Sequence, residues 1–237
     1  GFNGVRKHQK VEDPRFLYHA DRMGFLVWGE MASGYHYSDR LIKDTVNEWI
    51  CEIKRDYNHP CIVAWTPLNE SWGILEVAHS KEQQSFCKAM YSLIKSLDPT
   101  RIVIDNDGWE HVETDLLTIH DYESDQGILE KRYSSVERIL KEQPAGRSLY
   151  VGSGKYEGEP VVVTEFGGIS FQKDGTKGWG YSAASSEDDF VNRYRNVVRP
   201  LLESEHVQGF CYTQLTDVEQ EINGLYTYGR EAKVDPK

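Results

Sequence analysis

The chain has 237 residues, close to the roughly 250 residues that are typical of one barrel-type domain. Lys and Arg total 27 against 38 Asp and Glu, and the net charge of −11 argues against nucleic acid or an anionic membrane surface as the main partner. No apolar run approaches the roughly 20 residues of a membrane span, and the four cysteines include no C-x-x-C pair, so neither a membrane helix nor a zinc site is indicated.

Short β-branched runs alternate with helical patterns along the chain. Continuous runs such as Ile102-Val103-Ile104 are typical of strands that are buried on both faces of a parallel sheet. In chain order, the predicted strands cover residues 2–8, 25–31, 61–70, 101–107, 116–122, 161–166 and 207–215. The predicted helices cover residues 14–22, 39–57, 80–96, 127–142 and 186–205, and segments 148–160 and 172–184 are predicted to be loops. This alternation predicts βαβ units and an α/β fold.

The predicted strands are one fewer than the eight of a closed (β/α)8 TIM barrel, so a doubly wound sheet and a barrel that has lost one unit are the alternatives. Functional groups of a barrel lie at the carboxyl ends of its strands. Here the predicted strands begin with apolar residues, with Arg101 as the exception, and polar residues stand at or next to their carboxyl ends. These polar residues include His8, Glu30, Glu70, Asp107, Tyr122 and Glu165. This asymmetry favours a single TIM barrel domain over residues 1–237.

Two of these residues, Glu70 and Glu165, can carry glycoside chemistry. Hydrolysis of a glycoside needs a proton donor for the leaving oxygen and a second carboxylate at the anomeric carbon. Two strand-end glutamates that face each other across a barrel mouth meet this need. In a retaining enzyme their carboxyl groups would lie about 5–5.5 Å apart.

Several motifs stand around these glutamates in a characteristic order. They are the run 59–65 (HPCIVAW) followed by Asn69-Glu70, the run Thr164-Glu165-Phe166-Gly167, the runs Asn3-Gly4-Val5-Arg6 and Gly24-Phe25-Leu26-Val27-Trp28, and the run 209–217 with Asn223-Gly224-Leu225 and Lys233. Together they resemble glycoside hydrolase family 2, the family of β-galactosidases, β-glucuronidases and β-mannosidases. The resemblance covers nearly the whole chain.

The resemblance implies a (β/α)8 barrel that hydrolyses terminal β-linked sugars with retention, by double displacement and without a cofactor or metal. It implies that Glu70 is the general acid/base and Glu165 the nucleophile. Asn69 would then bond to the sugar 2-hydroxyl, and the Tyr122 hydroxyl would orient the nucleophile.

The other candidate site residues each have a structural alternative. Arg6 either pairs with a barrel carboxylate or holds Glu165 ionised. His8 and Glu30 either contact the substrate or belong to a polar network at the barrel mouth. His120 is either a ligand contact or a satisfied structural group, and Trp72 either stacks on a sugar or packs within its loop.

Two departures from the family pattern bear on specificity. Thr213 stands where many members have a Trp that lines the sugar site. The segment Glu221-Ile222-Asn223 replaces the Asn-x-Lys with which β-glucuronidases bind the sugar carboxylate. Because an acidic residue is a poor partner for an anionic sugar, we expect a β-galactosidase-like enzyme, with a glucuronide or a mannoside as the alternative substrate.

Family members carry a first strand, a helix and β-sandwich domains ahead of the region that corresponds to residues 3–6. We therefore expect a fragment of a longer multidomain chain that lacks the first strand and helix of the barrel, whose upstream sandwich domains are partners of the barrel. Unpaired edges at residues 2–8 and 207–215 would favour self-association into a homo-oligomer. The competing functions are a non-catalytic carbohydrate-binding barrel, against which both glutamates argue, and an inverting or endo-acting glycosidase of a related barrel family. The sequence does not indicate a compartment.

Overall fold

The computed structural model describes residues 1–172 and 177–235, so part of the predicted loop 172–184 lies outside the described residues. Contacts along the chain group these residues into two compact units. Unit 1 comprises Gly1–Thr118 and Arg147–Pro160, and unit 2 comprises Ile119–Gly146 and Val161–Lys237. The prediction of one catalytic domain over residues 1–237 stays a prediction.

Unit 1 contains a parallel sheet whose strands follow one another in chain order. The strands are β1 (Gly4–Arg6), β2 (Leu26–Glu30), β3 (Ile62–Thr66) and β4 (Ile102–Val103). The intervening helices are α1 (Pro14–Met23), α2 (Asp39–Asp56) and α3 (Lys81–Leu97). Successive βαβ units with neighbouring strands are the repeat from which a barrel wall is built.

The helices of unit 1 begin at polar side chains that accept from the first free backbone amides. Asp13 caps α1, which has Pro14 in its first turn, and Ser38 and Ser80 cap α2 and α3. Between the helices and the sheet, the fully buried rings of Trp49 and Trp65 meet edge to face with centroids 6.0 Å apart. These contacts hold the helical layer against the strands whose ends carry the polar residues.

Unit 2 contains the remaining long strands. The sheet order is β5 (Leu117–Asp121), β6 (Val161–Gly167) and β9 (Val207–Thr213), and β6 pairs with β9 in parallel. A short parallel pair, β7 (Ile169–Ser170) and β8 (Ser182–Ala183), follows β6. The helices are α4 (Gln126–Arg132), α5 (Val136–Lys141) and α6 (Glu187–Glu203).

Each predicted strand overlaps an observed strand, but two local predictions were wrong. The predicted helix 127–142 is two helices, because Ser135 takes an extended conformation and its side chain caps α5 by accepting from Arg138 N. The predicted loop 172–184 contains the short strand β8, which pairs with β7. No helix in the described part of the chain is both long and apolar enough to cross a bilayer.

One carboxylate of unit 1 is buried on a helix, and burial outweighs the opposing charge of Arg55 nearby. Glu52 lies on the buried face of α2, and its Oε2 atom has no hydrogen-bond partner among the described residues. Burial, with the nearby charge of Asp56, raises the pKa of Glu52 to about 8. Because this lies above the ordinary value of 4.5, the folded chain keeps a proton that the unfolded chain releases, and stability falls as the pH rises from about 4.5 to 8.

We expect Glu52→Gln to remove this pH dependence. Urea titration measures the free energy of unfolding of variant and parent at pH 5 and pH 8.5. The difference, variant minus parent, should be larger at pH 8.5, because the neutral amide cannot ionise in the interior. Glu82→Gln, at an exposed position of α3, is the control and should change the two values equally. Equal effects of both substitutions at pH 8.5 would contradict the assignment.

Candidate active site

In unit 1, the carboxyl ends of the strands bring four polar side chains together around Arg6. The guanidinium is ion-paired with Glu30 and, through Nε at 2.9 Å, with Asp107 Oδ2. Its Nη2 atom donates to Asn69 Oδ1 at 2.6 Å and lies 3.2 Å from His8 Nδ1. The Arg6 side chain and both carboxylates are almost completely buried. The sequence left two roles open for Arg6. The contacts within unit 1 agree with the first of them, pairing with a barrel carboxylate.

Glu30 is the acidic centre of this network. Burial raises the pKa of Glu30 to about 7. The positive charge of Arg6 opposes this rise, and the negative charge of Asp107 adds to it. The backbone amide of Gln9 donates to Glu30 Oε2 at 2.8 Å. Glu30 therefore takes part in a polar network, which is one of the two alternatives that the sequence left open for it. His8 is largely exposed and lies at the edge of this network.

Glu70 sits on a strained backbone just beyond β3. Glu70 and Ser71 have φ angles of 52° and 59°, which is left-handed backbone that residues with a Cβ rarely adopt. The amide of Glu70 donates to the Asp107 carbonyl at 3.0 Å, and the amide of Ser71 donates to Asn106 Oδ1 at 2.9 Å. Strain of this kind costs on the order of 1–3 kcal/mol per residue and persists where the surroundings fix the conformation, as at functional sites.

The residues that hold the Glu70 backbone are in turn fixed by a buried ion pair. His111 Nδ1 lies 2.8 Å from Asp105 Oδ1, and both side chains are fully buried. Burial alone would lower the pKa of His111, but the hydrogen bond and charge of Asp105 raise it above its ordinary value. The sequence analysis named Asp107 only as a polar residue at a strand end, and it assigned neither Asp105 nor Asp107 a part in this scaffold. The signal that could have found them was three consecutive polar residues, Asp105-Asn106-Asp107, after a continuous β-branched run.

In unit 2, the nucleophile candidate lies beside two side chains from β5 and the residue that follows it. The Tyr122 hydroxyl donates to Glu165 Oε2 at 2.6 Å, and His120 Nδ1 lies 3.4 Å from the same oxygen. Glu165 is 8% exposed and His120 is fully buried. Burial, together with the charge of Glu165, raises the pKa of the Tyr122 phenol far above its ordinary value, so Tyr122 remains a proton donor at any working pH. The sequence-predicted group Tyr122, His120 and Glu165 is therefore brought together.

In unit 2, the segment that follows β9 brings a second carboxyl group near enough to Glu165 for their charges to interact. Glu221 accepts from Asn223 Nδ2 at 3.1 Å, and burial, with the charge of Glu165 adding, raises the pKa of Glu221 above its ordinary value. The backbone of Trp179 forms a bridge to Glu221, and its amide donates to Gln220 O at 2.8 Å. Glu221 and Trp179 thus lie on paired segments.

The candidate Trp72 and two further tryptophans, Trp109 and Trp179, differ in their surroundings. Trp72 is 38% exposed and packs edge to face against Tyr35, with centroids 5.7 Å apart, within unit 1. Trp109 is buried under the Arg147 guanidinium, which fits loop packing. Trp179 is 51% exposed and packs edge to face against Tyr181 in unit 2.

One group of side chains in unit 1 has the composition of a metal site. Asp21, His59 and Cys61 bring a carboxylate oxygen, a ring nitrogen and a sulfur within 4.8 Å of one another. Asp21 already bonds to His59 Nδ1 at 2.7 Å and to the amide of Cys61 at 2.9 Å. Burial and the neighbouring Asp21 raise the pKa of the Cys61 thiol to about 12, which disfavours the thiolate that a metal requires. The contacts therefore describe a structural link between α1 and the start of β3.

The comparison with protein families assigns the chain. The profile described as Glycosyl hydrolases family 2, TIM barrel domain, matches residues 1–210. The chain belongs to this family. The predicted family and the predicted TIM-barrel class are thus confirmed, and the parallel sheets of the two units are consistent with a partial barrel.

Relatives within family 2 include enzymes with different names. A β-galactosidase of Thermoanaerobacter pseudethanolicus is 31% identical over 102 residues, and a putative β-glucuronidase of Formosa agariphila is 28% identical over 106 residues. Each of these two matches covers 43% of this chain and 13% of the relative. The chain therefore spans a small part of the length of these relatives.

Solved family 2 structures show the same fold. A β-galacturonidase of Eisenbergiella tayi bound to galacturonate matches 97% of this chain and 43% of its own chain, with a TM-score of 0.74 and 20% identity. A β-glucuronidase of Ruminococcus gnavus in complex with uronic deoxynojirimycin matches 97% of this chain and 41% of its own, with a TM-score of 0.72 and 19% identity.

The Arg6 network makes a stability prediction. Arg6→Met leaves Glu30 and Asp107 buried without their cation, and we expect the free energy of unfolding at pH 7 to fall by about 3–5 kcal/mol. Lys7→Met is the matched control, because Lys7 forms a more exposed ion pair with Glu12 and should change stability by about 0–1 kcal/mol. Adding Glu30→Gln and Asp107→Asn to Arg6→Met should restore part of the loss. Equal losses for the two single variants, measured by urea titration, would refute the role given to Arg6.

Proposed function

We propose that this family 2 domain belongs to a retaining exo-β-glycosidase in which Glu165 is the nucleophile and Glu70 the general acid/base. The observation that carries the proposal is the hydrogen bond of 2.6 Å from Tyr122 to Glu165, at the end of β6, in a chain of a glycosidase family. A hydrogen bond to the charged form of a carboxyl group favours that form. Glu165 is thereby oriented as the ionised carboxylate that a covalent step requires.

The reaction proceeds in two displacements. In the first, a carboxylate oxygen of Glu165 forms a bond to the anomeric carbon while the bond from that carbon to the leaving oxygen breaks, and Glu70 gives its proton to the leaving oxygen. In the second, Glu70 accepts a proton from water, the water oxygen attacks the anomeric carbon, and the bond to Glu165 breaks. The strained backbone at Glu70 and the bond from Arg6 to Asn69 support this assignment, because both fix the segment that presents the acid.

A neutral β-hexoside, such as a β-galactoside, is the substrate that unit 2 favours. Glu221 stands where β-glucuronidases carry the first residue of Asn-x-Lys, and Asn223 stands where they carry the lysine. A uronate would bring a further negative charge to a region that already contains Glu165 and Glu221, and like charges brought together cost several kcal/mol. The relatives include a β-galactosidase and a putative β-glucuronidase, so their names do not distinguish the two substrates. The proposed preference for a galactoside rests on the residues of this chain.

Labelling and leaving-group kinetics test the two catalytic roles. In the full-length protein, a 2-deoxy-2-fluoro glycoside should label Glu165 covalently, and Glu165→Gly should abolish turnover. Glu70→Ala should retain more activity on aryl glycosides with good leaving groups than on those with poor ones, because the former need less acid assistance. A label on Glu70 would reverse the assignment, and binding of sugar without turnover would favour a non-catalytic carbohydrate-binding barrel.

The geometry of the two carboxyl groups distinguishes retention from inversion. We predict about 5–5.5 Å between the carboxyl groups of Glu70 and Glu165, against roughly 6.5–9.5 Å for an inverting enzyme. A crystal structure of the full-length protein with a bound inhibitor measures this separation, and NMR of the first-formed sugar anomer reports the stereochemistry independently.

Substitution of the segment 221–223 tests the specificity. The parent should cleave aryl β-galactosides faster than aryl β-glucuronides. The double substitution Glu221→Asn with Asn223→Lys should raise the ratio of kcat/KM for glucuronide over galactoside by at least about tenfold, which corresponds to about 1.4 kcal/mol. Glu219→Asn removes the same charge from an exposed neighbour and is the control. A parent that prefers glucuronides would show that the interpretation of this segment is wrong.

A further inference from the structure

The ring of Tyr122 is covered by a second tyrosine. Tyr181 lies flat on Tyr122, with ring centroids 3.4 Å apart and an interplanar angle of 3°. Tyr181 is 49% exposed, and Tyr122 is partly buried. Aromatic pairs in contact contribute on the order of 0.5–1.5 kcal/mol beyond the area that they bury, so the contact restrains both rings.

The backbone fixes Tyr181 in this position from two directions. Its amide donates to the Gly168 carbonyl at 2.8 Å, and the amide of Gly168 donates to the Thr213 carbonyl at 2.9 Å. The ladder of β7 and β8 continues directly from this point, with Ile169 opposite Ser182. Tyr181 is therefore attached to the chain three residues beyond Glu165, and a movement of Tyr181 would have to break a parallel pair.

Gly168 is required by the same stack. Its φ of 55° is left-handed, and a Cβ at this position would lie 2.4 Å from Tyr181 Cδ2 and 3.0 Å from two ring carbons of Tyr122. The backbone of Gly168 thus packs against both rings. Together, Tyr181 and Gly168 restrict the plane of the Tyr122 ring, and the ring plane determines where the phenol hydrogen points.

We propose that Tyr181 is a positioning residue that acts through Tyr122, holding the phenol in line with Glu165 Oε2. This inference rests on the proposed function, in which the hydrogen bond of 2.6 Å orients the nucleophile. Tyr181 contributes by its ring and needs no contact with the reacting atoms. The segment 177–184 therefore sets the geometry of the nucleophile, although its sequence has no helical or strand periodicity.

Loss of the ring should loosen the hydrogen bond. A displacement of about 1 Å at a catalytic group can cost on the order of 100-fold in rate. In the full-length protein, Tyr181→Leu should lower kcat by about 10- to 100-fold with little change in KM. It should also move the acid limb of the kcat/KM profile to higher pH, because the ionised nucleophile loses support. Tyr181→Phe keeps the ring and should stay within about threefold of the parent.

A double-mutant cycle separates positioning from a general structural effect. The variants are Tyr181→Leu, Tyr122→Phe and the two combined, with Tyr228→Leu as the control, since Tyr228 is 68% exposed in the same unit. If Tyr181 acts through the Tyr122 hydroxyl, Tyr181→Leu should cost little once that hydroxyl is gone. Additive losses, or an equal loss in Tyr181→Phe and Tyr181→Leu, would overturn the proposal.

A readout that does not depend on turnover completes the test. With 3-fluorotyrosine placed at position 122, fluorine NMR follows the titration of the neighbouring carboxylate, and its midpoint should lie at higher pH in Tyr181→Leu than in the parent. The same midpoint in both proteins would refute the proposal. Absence of glycoside turnover and of Glu165 labelling in the parent would instead contradict the proposed function, and the fluorine titration would still decide whether Tyr181 positions Tyr122.

Discussion

The carboxylates at the strand ends of unit 1 depend on one cation. A buried carboxylate loses the solvation of water, and removing its partner leaves a charge that the interior cannot accommodate. Arg6 meets Glu30 and Asp107 and still donates to Asn69, because a guanidinium offers five donors in a fixed fork. Asn69 is the residue before Glu70. The electrostatic balance of the network therefore also fixes the segment that carries the proposed acid.

The same physical rule positions the irregular segment after β9 in unit 2. Lys233 is fully buried, and its ammonium group donates to Asp217 Oδ1 and to Ile222 O, each at 2.7 Å. Asp217 also accepts from the amide of Gly224 at 2.8 Å. The described part of this segment contains isolated backbone bridges, such as the one between Trp179 and Glu221. The buried ion pair and its hydrogen bonds add to these bridges. Glu221 lies next to Ile222, whose carbonyl accepts from Lys233, so both kinds of contact restrain it.

The elements of the fold could be predicted from the sequence because they are periodic. Continuous β-branched runs indicated the strand positions, and the predicted helices 14–22, 39–57 and 80–96 overlap α1, α2 and α3. The break between α4 and α5 could not be predicted, because it depends on Ser135 choosing an extended conformation within an otherwise helical pattern.

In the candidate site, too, residues that depend on a local sequence pattern could be predicted, whereas residues that depend on distant contacts could not. Glu70 and Tyr122 follow strands and Glu165 lies near the carboxyl end of β6, and the positions at which strands end can be predicted from the pattern. Asp107 and Tyr181 could not be assigned, since their partners Arg6 and Tyr122 lie far away in the sequence. No local pattern encodes such a pair. A long-range contact between a charge and its counter-charge, or between two rings, is determined only when the chain has folded.

Each proposed catalytic carboxyl group has positioning contacts within its own unit. The backbone of Glu70 is held through Asn106 and Asp107 in unit 1, whereas the side chain of Glu165 is held by Tyr122 in unit 2. Both carboxyl groups take part in both displacements, so loss of either set of contacts can slow both steps. The two losses differ while the first displacement limits the rate. Contacts that place the acid govern protonation of the leaving oxygen, so their loss should slow substrates with poor leaving groups most. Contacts that orient the nucleophile govern bond formation at the anomeric carbon, so their loss should slow good and poor leaving groups more nearly alike. Under these conditions, a steeper dependence on the leaving group in a variant than in the parent identifies unit 1 as the unit in which the geometry has changed.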